Sequence, residues 1–94
     1  MRNDQVFKAL ADPTRRKILR MLGRGEMSAG EIAESFPITG PSMSHHFSVL
    51  KSADLISGRR DGQQIVYSLN TTVIQDLMTV LLDTFKQEPI GEES

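Results

Sequence analysis

The sequence predicts a mainly α-helical fold with one small β-hairpin, in the order α-α-α-α-β-β-α. Two short amphipathic segments joined by a compact turn occupy residues 28–53. A polar turn between two alternating segments follows at residues 56–69, and a long apolar helix comes after it. We expect one domain over residues 1–87 and a disordered acidic tail over residues 88–94.

The composition indicates a small protein with a single core and no disulfides. Its 94 residues are 38% hydrophobic, and it has no cysteine for a disulfide, a thiolate ligand or a nucleophile. The sequence has no run of about 18 apolar residues, and its first residues lack the apolar centre of a secretory signal. We therefore expect a cytoplasmic protein that does not insert into a membrane.

The first two helices are predicted over residues 4–11 and 13–22, where apolar residues repeat at helical spacing. Asp12 can accept a hydrogen bond from a free amide as the N-cap of the second helix, and Pro13 suits its first position. The stem of Arg15 is expected to be buried, with its head on a carboxylate or a phosphate.

A capping motif predicts a third helix from Ser28. The Ser28 hydroxyl and the Glu31 carboxylate can each satisfy a free amide, and Pro37 prevents this helix from continuing. Thr39 can cap a fourth helix, which is predicted to reach Ala53. Two short helices joined by a tight turn are typical of a helix-turn-helix.

The fourth helix has two contrasting faces. At about 100° per residue, one face is apolar and should pack inward together with His46. The other face is small and neutral-polar, whereas a solvated face more often carries Glu, Lys and Gln, which have better helix propensity than serine. Short hydroxyl side chains allow close approach to a DNA groove, although a merely solvated face is the alternative. The outer face consists of Pro41, Ser44, His45, Ser48 and Ser52.

A hairpin is predicted next, with strands over residues 56–60 and 63–69 and a turn at Asp61 and Gly62. The two arginines at its tip could neutralise phosphates or enter a minor groove, and the two glutamines could bond to backbone or base edges. One arginine could instead pair with Asp61 or another carboxylate. These elements together predict a winged helix-turn-helix with the tip residues Arg59, Arg60, Gln63 and Gln64.

The last helix, which should reach about Lys86, has more apolar residues than one core-facing stripe requires. Leaving ~300 Å² of apolar area in water would forgo several kcal/mol, comparable with the whole stability of a small domain. We therefore expect a homodimer formed through this helix and the first one. The predicted interface residues are Val6, Phe7, Leu10, Ile74, Leu77, Met78, Leu81, Leu82 and Phe85.

The charge is unevenly distributed along the chain. Residues 1–69 hold ten Lys/Arg against seven Asp/Glu, a net +3, and residues 70–94 hold one against five, a net −4. The basic part would attract a polyphosphate, although such clusters more often only keep a protein soluble. Arg16 and Lys17 are candidate contacts to the DNA backbone, whereas Arg15 is expected to be structural.

Three strings resemble the ArsR-type winged-helix repressors, and within them the chain looks most like the SdpR autorepressor branch. The strings are FKALADPTRRKIL (residues 7–19), PSMSHHFSVLK (residues 41–51) and RRDGQQIVYSL (residues 59–69). The resemblance covers roughly residues 5–82, with the strings in the right order and spacing. It implies a homodimeric bacterial transcriptional repressor or autorepressor that binds a dyad-symmetric operator in double-stranded DNA.

Members of this family often sense metal through cysteines in the third helix or through His and Asp on the last helix, and this sequence departs from both patterns. Isoleucine, alanine, glutamate and serine occupy residues 32–35, and the last helix has no histidine. His45 and His46 lie about 100° apart on one helix, which prevents them from chelating one ion. We expect no metal and no cofactor. Release from DNA could then come from a sequestering protein, a small apolar ligand or dilution.

No catalytic arrangement is expected. Ser44 and His45 point in different directions, and no Asp lies nearby in the sequence to orient either imidazole. The chain is therefore not predicted to be an enzyme. The main rival is a winged-helix module that binds a protein through its apolar last helix.

The predicted DNA contacts belong to three groups. The fourth helix contributes base and groove contacts, and its start is suited to a phosphate, because free amides and the helix dipole favour an anion there. The full set is Thr39, Ser42, Ser44, His45 and Ser48 on that helix, Arg59, Arg60, Gln63 and Gln64 at the hairpin tip, and Arg16 and Lys17 on the second helix.

Overall fold

A computed structural model describes residues 2–86, which form five helices and a three-stranded antiparallel sheet. The predicted winged helix-turn-helix is confirmed. The tail expected over residues 88–94, and the domain end at residue 87, lie outside the described residues. The elements are α1 (Arg2–Leu10), α2 (Pro13–Leu22), β1 (Met27–Ser28), α3 (Ala29–Ala33), α4 (Gly40–Ser52), β2 (Ile56–Asp61), β3 (Gln64–Leu69) and α5 (Thr71–Phe85).

The sheet contains a strand that the sequence analysis did not predict. β1 pairs antiparallel with β3, with Met27 opposite Tyr67 and Ser28 opposite Val66. The strand order is β1-β3-β2, so β3 is central and the hairpin is anchored to the segment that starts α3. A strand of two residues shows no alternation that a sequence pattern could reveal.

The hairpin turn lies one residue later than predicted. Asp61 pairs with Gln64, so Gly62 and Gln63 form the turn and the prediction of Asp61 and Gly62 is wrong. Gly62 has a φ of 65°, a conformation that glycine adopts without a Cβ clash. The shift moves Gln63 out of the predicted return strand and onto the exposed tip.

Arg15 joins three helices near the start of α2. Its Nε donates to the Ala9 carbonyl at 2.8 Å and its Nη2 to the Lys8 carbonyl at 3.0 Å. Its Nη1 lies 3.2 Å from Nδ1 of His46 on α4. Within residues 2–86, the guanidinium therefore donates to carbonyls and lies beside an imidazole rather than bonding to the expected carboxylate, and the phosphate alternative stays a prediction. The guanidinium instead satisfies carbonyls at the end of α1, where the helix itself offers no donors.

The core lies between the helices and the sheet. Phe47 of α4 packs against Tyr67 of β3 with 4.6 Å between the ring centroids. Gly58 pairs with Tyr67 across the hairpin, and a Cβ at Gly58 would lie 3.0 Å from a Tyr67 ring carbon. A larger residue at this position would require the tyrosine ring to move by a few tenths of an ångström, so glycine favours the close packing of the ring against the strand. Other large, fully buried side chains are Val6, Ile18, Ile32, Leu50 and Leu55.

The last helix divides its apolar residues between the core and the surface. Val73 and Leu77 face the core, whereas Met78 is 56% exposed, Leu82 64% and Phe85 75%. Two predicted interface residues, Val6 and Leu77, are buried inside the protomer, because the inner sides of α1 and α5 pack on its core. They have almost no area left for a second copy.

Candidate nucleic-acid interface

The start of α4 is capped by Thr39. Its Oγ1 accepts from the Ser42 amide at 3.2 Å and donates to the Ser42 hydroxyl oxygen at 3.0 Å. Because the Ser42 oxygen acts as the acceptor, its own hydrogen is available to an outside group such as a phosphate oxygen. Both side chains are exposed.

The outer face of α4 is open to solvent, as the helical spacing predicts. Ser44, His45 and Ser48 are all exposed, and no hydrogen bond to a residue in the range 2–86 occupies the serine hydroxyls. Their donors and acceptors are therefore available to a ligand. On the opposite side, Met43 and Phe47 are buried and hold the helix against the core.

His46 points inward, as expected, and differs in this from its neighbour. Its Nδ1 lies 3.2 Å from a guanidinium nitrogen of Arg15 and 3.9 Å from a carboxylate oxygen of Asp12. Its side chain is 15% exposed. The ring thus links α4 to the junction of α1 and α2, and His45 alone of the two histidines lies on the outer face.

Asp12 is the acidic residue at that junction, and its neighbours shift the pKa of its carboxyl group. Partial burial would raise the pKa of the Asp12 carboxyl, but the hydrogen bond from the Arg15 amide and the nearby charges of His46 and Arg15 outweigh it and lower the pKa. The carboxylate therefore stays ionised as the N-cap of α2, accepting from the Arg15 amide at 3.1 Å.

The two hairpin arginines differ in their surroundings. Arg59 donates to the Glu26 carboxylate at 2.8 Å, and both side chains are about half exposed. Glu26 precedes β1, so Arg59 reaches across the central strand to meet it. Arg60 has no partner within residues 2–86. The expectation that one arginine would pair with a carboxylate is confirmed, with Glu26 rather than Asp61 as the partner of Arg59.

The remaining predicted DNA contacts differ in whether they already have a partner within the protein. Gln63 and Gln64 are exposed at the hairpin tip beside Arg60, where they can reach a neighbouring surface. Arg16 donates from Nη1 to the Leu10 carbonyl at 2.8 Å, and the Lys17 ammonium lies 4.9 Å from the centre of the Phe36 ring. Each therefore has a structural contact in the free protein.

The predicted DNA contacts did not include two residues that border this surface. A cleft between α1 and α4 is lined by Gln5 and Lys8 as well as by residues of the outer face of α4. No local pattern could reveal it, because it arises from the packing of two helices that are distant in sequence. Glu26 was likewise missed as the partner of Arg59.

Within residues 2–86, no three His, Cys, Asp or Glu side chains come together in a way that could hold a metal ion. Over the same residues, every helix is too short or too polar to cross a bilayer.

Comparison with known proteins gives consistent results. A helix-turn-helix domain model matches residues 10–59. The transcriptional repressor SdpR of Bacillus subtilis is 58% identical over 80 residues, covering 85% of this chain and 89% of that protein. An arsenical resistance operon repressor of Staphylococcus aureus is 34% identical over 78% of this chain and 70% of its own length.

Solved structures show the same likeness. The crystal structure of an ArsR family transcriptional regulator superposes with a TM-score of 0.80 at 25% identity, covering 94% of this chain and all of that one. NolR from Sinorhizobium fredii superposes with a TM-score of 0.69 at 29% identity over 90% of this chain and 85% of that one.

Proposed function

The chain belongs to the ArsR family of winged helix-turn-helix transcriptional repressors, and we propose that it acts in the cytoplasm as a homodimer on a dyad-symmetric operator, without sensing a metal. The observation that carries this proposal is the outer face of α4. Ser44, His45 and Ser48 stand exposed with free hydrogen-bonding groups, while the opposite side of the helix is locked into the core.

We assign base and groove contacts to α4 and backbone contacts to the hairpin. A helix of this size fits the major groove, where serine and histidine side chains can bond to base edges. Arg60, which has no partner among the described residues, would neutralise a phosphate, and Thr39 with Ser42 would hold another at the helix start. Arg59 would first have to leave Glu26.

The dimer supplies the second half of the interface. Met78, Leu82 and Phe85 form an exposed apolar patch on α5, and Phe7 of α1 is 45% exposed. Burying ~300 Å² of such area would contribute roughly 7 kcal/mol before the losses of translational and rotational freedom. A twofold arrangement would place two α4 helices about 34 Å apart, in successive major grooves.

The division of roles is tested by titrating the protein with its own upstream DNA and with random DNA. Arg60→Ala should weaken binding to both DNAs alike, because phosphate contacts carry no sequence information. Ser44→Ala and His45→Ala should mainly reduce the preference for the upstream DNA. Equal losses by all three variants on both DNAs would reject this division.

The dimer is tested separately by Leu82→Glu, with Thr79→Glu as the control that adds the same charge to α5 outside the patch. Sedimentation should show a monomer for Leu82→Glu and a dimer for Thr79→Glu, with DNA binding lost only in the monomer because bivalency is lost. A dimeric Leu82→Glu variant would remove this patch from the interface.

The same apolar patch favours a second candidate, a module that docks a different protein through α5. This alternative predicts a monomer that binds neither DNA at low salt. In the repressor, release from DNA would instead use the patch or its surroundings, either through a sequestering protein or through a small apolar ligand.

A further inference from the structure

We propose that the cleft between α1 and α4 binds one phosphate of the DNA backbone, with the Lys8 ammonium as its main ligand. The cleft has a volume of about 200 Å³ and is lined by Gln5, Lys8, His45, Ser48, Val49 and Ser52. This inference rests on the proposed function and adds to it a contact from a helix outside the helix-turn-helix and the hairpin.

The lining has the chemistry of an anion site. It offers one ammonium, one amide, one imidazole and two hydroxyls, all of which can donate a hydrogen bond, and it contains no carboxylate. A water molecule takes about 30 Å³ in the liquid, so the cleft has room for a phosphate group. A cationic donor in a lining without a carboxylate favours a phosphate oxygen.

Lys8 is free to take this role. Its side chain is exposed and has no hydrogen-bond or ion-pair partner within residues 2–86. This distinguishes it from Arg59, which is held by Glu26, and from Lys17, which lies over Phe36. Binding a phosphate at Lys8 would therefore break no existing contact.

The cleft is held open by a fixed connection between its walls. The Lys8 carbonyl accepts from Arg15 at 3.0 Å, and the same guanidinium lies 3.2 Å from the imidazole of His46. One side chain thus ties the backbone of α1 at Lys8 to α4 beside His45. The spacing between Lys8 and the outer face of α4 is set before DNA binds.

Lys8 remains accessible in the proposed dimer. Val6 and Ala9 form the buried stripe of α1, and at about 100° per residue Phe7 lies on one side of this stripe and Gln5 and Lys8 on the other. The flank that contains Phe7 can meet a second copy while the other flank borders the cleft. The phosphate would therefore lie between the two half-sites, nearer the operator centre than the hairpin contacts.

The test measures how the dissociation constant for the operator depends on salt, in Lys8→Gln, Lys8→Arg and wild type. Each lost phosphate contact lowers the log-log slope by about 0.9, so Lys8→Gln should reduce it by about 2 in a dimer, and Lys8→Arg should keep the wild-type slope. Lys86→Gln, at the end of α5, is the control for loss of one positive charge. Circular dichroism should show equal folding, since Lys8 is exposed.

A second measurement locates the contact. Single phosphates of the operator are replaced in turn by neutral methylphosphonates. At one central position, this replacement should weaken binding by the wild-type protein but leave binding by Lys8→Gln unchanged. The cleft assignment would be overturned if Lys8→Gln showed the same salt-dependence slope and the same methylphosphonate pattern as the wild type. The repressor proposal would then remain intact. Absence of salt-dependent DNA binding by the wild-type protein would overturn both. Binding of inorganic phosphate at Lys8 without any effect of Lys8→Gln on DNA would assign the cleft to a free anion instead.

Discussion

Replacing Arg15 by methionine should destabilise the protein severely while leaving the apolar stem of the side chain in place. The arginine is 9% exposed and makes three side-chain contacts, to the carbonyls of Ala9 and Lys8 and to His46. Hydrogen bonds from a charged donor contribute about 1.5–3 kcal/mol where they are buried and less where water can replace them. The Ala9 contact is buried and the other two are partly buried.

Taking about 2 kcal/mol for the buried contact and about 0.5–1 kcal/mol for each of the others, we expect a loss of roughly 3–4 kcal/mol in the free energy of unfolding. With a urea m value near 2 kcal/mol/M, the midpoint should fall by about 1.5–2 M. Urea titrations followed by circular dichroism would measure this change, at one fixed protein concentration because the stability of the proposed dimer would depend on concentration.

Arg20→Met is the matched control, since Arg20 lies exposed on the same helix and has no partner within residues 2–86. It should change stability by less than about 0.5 kcal/mol. Arg15→Lys should be intermediate, because an ammonium cannot reach all three acceptors at once. If Arg15→Met were as stable as Arg20→Met, the reasoning that this side chain holds α1, α2 and α4 together would be refuted.

Two further predictions concern single carboxylates. Glu26→Gln should release Arg59 and strengthen binding to operator and random DNA by several-fold at low salt, as measured by an electrophoretic or fluorescence titration. An unchanged or weaker affinity would mean that Glu26 orients Arg59 for DNA binding. Asp12→Asn keeps an N-cap oxygen but loses the charge. The folded-state pKa of Asp12 lies below its ordinary value of 3.8, so the charge stabilises the fold above about pH 4. This contribution disappears as the pH falls through the lowered pKa. The stability difference between wild type and Asp12→Asn should therefore shrink below pH 4, and a difference that stays constant down to pH 2 would contradict this.

Local signals account for most of the fold. The capping box at Ser28 and Glu31, the proline at the start of α2 and the two faces of α4 all depend on neighbours within four residues, and all are present in the structure. The same is true of the exposed outer face of α4. These features are predictable because a helix places residues three and four apart on one side.

The features that the sequence did not reveal depend on contacts between distant segments. The ion pair of Glu26 with Arg59 spans 33 positions, and the contact of Arg15 with His46 spans 31. Nothing in a local pattern selects one acceptor for an arginine from among several. Val6 was predicted at the dimer interface and is buried within the protomer for the same reason, because apolar character alone does not say which of two surfaces a side chain meets.

The tilted contact of Phe47 with Tyr67, whose ring lies against Gly58, holds α4 and the hairpin together. The distance between α4 and the hairpin is therefore fixed. One base pair added between the segment read by the helix and the flank touched by the hairpin would shift that flank by about 3.4 Å and rotate it by about 35°. In the proposed mode of DNA binding, the half-sites should therefore share one length, even where their bases differ.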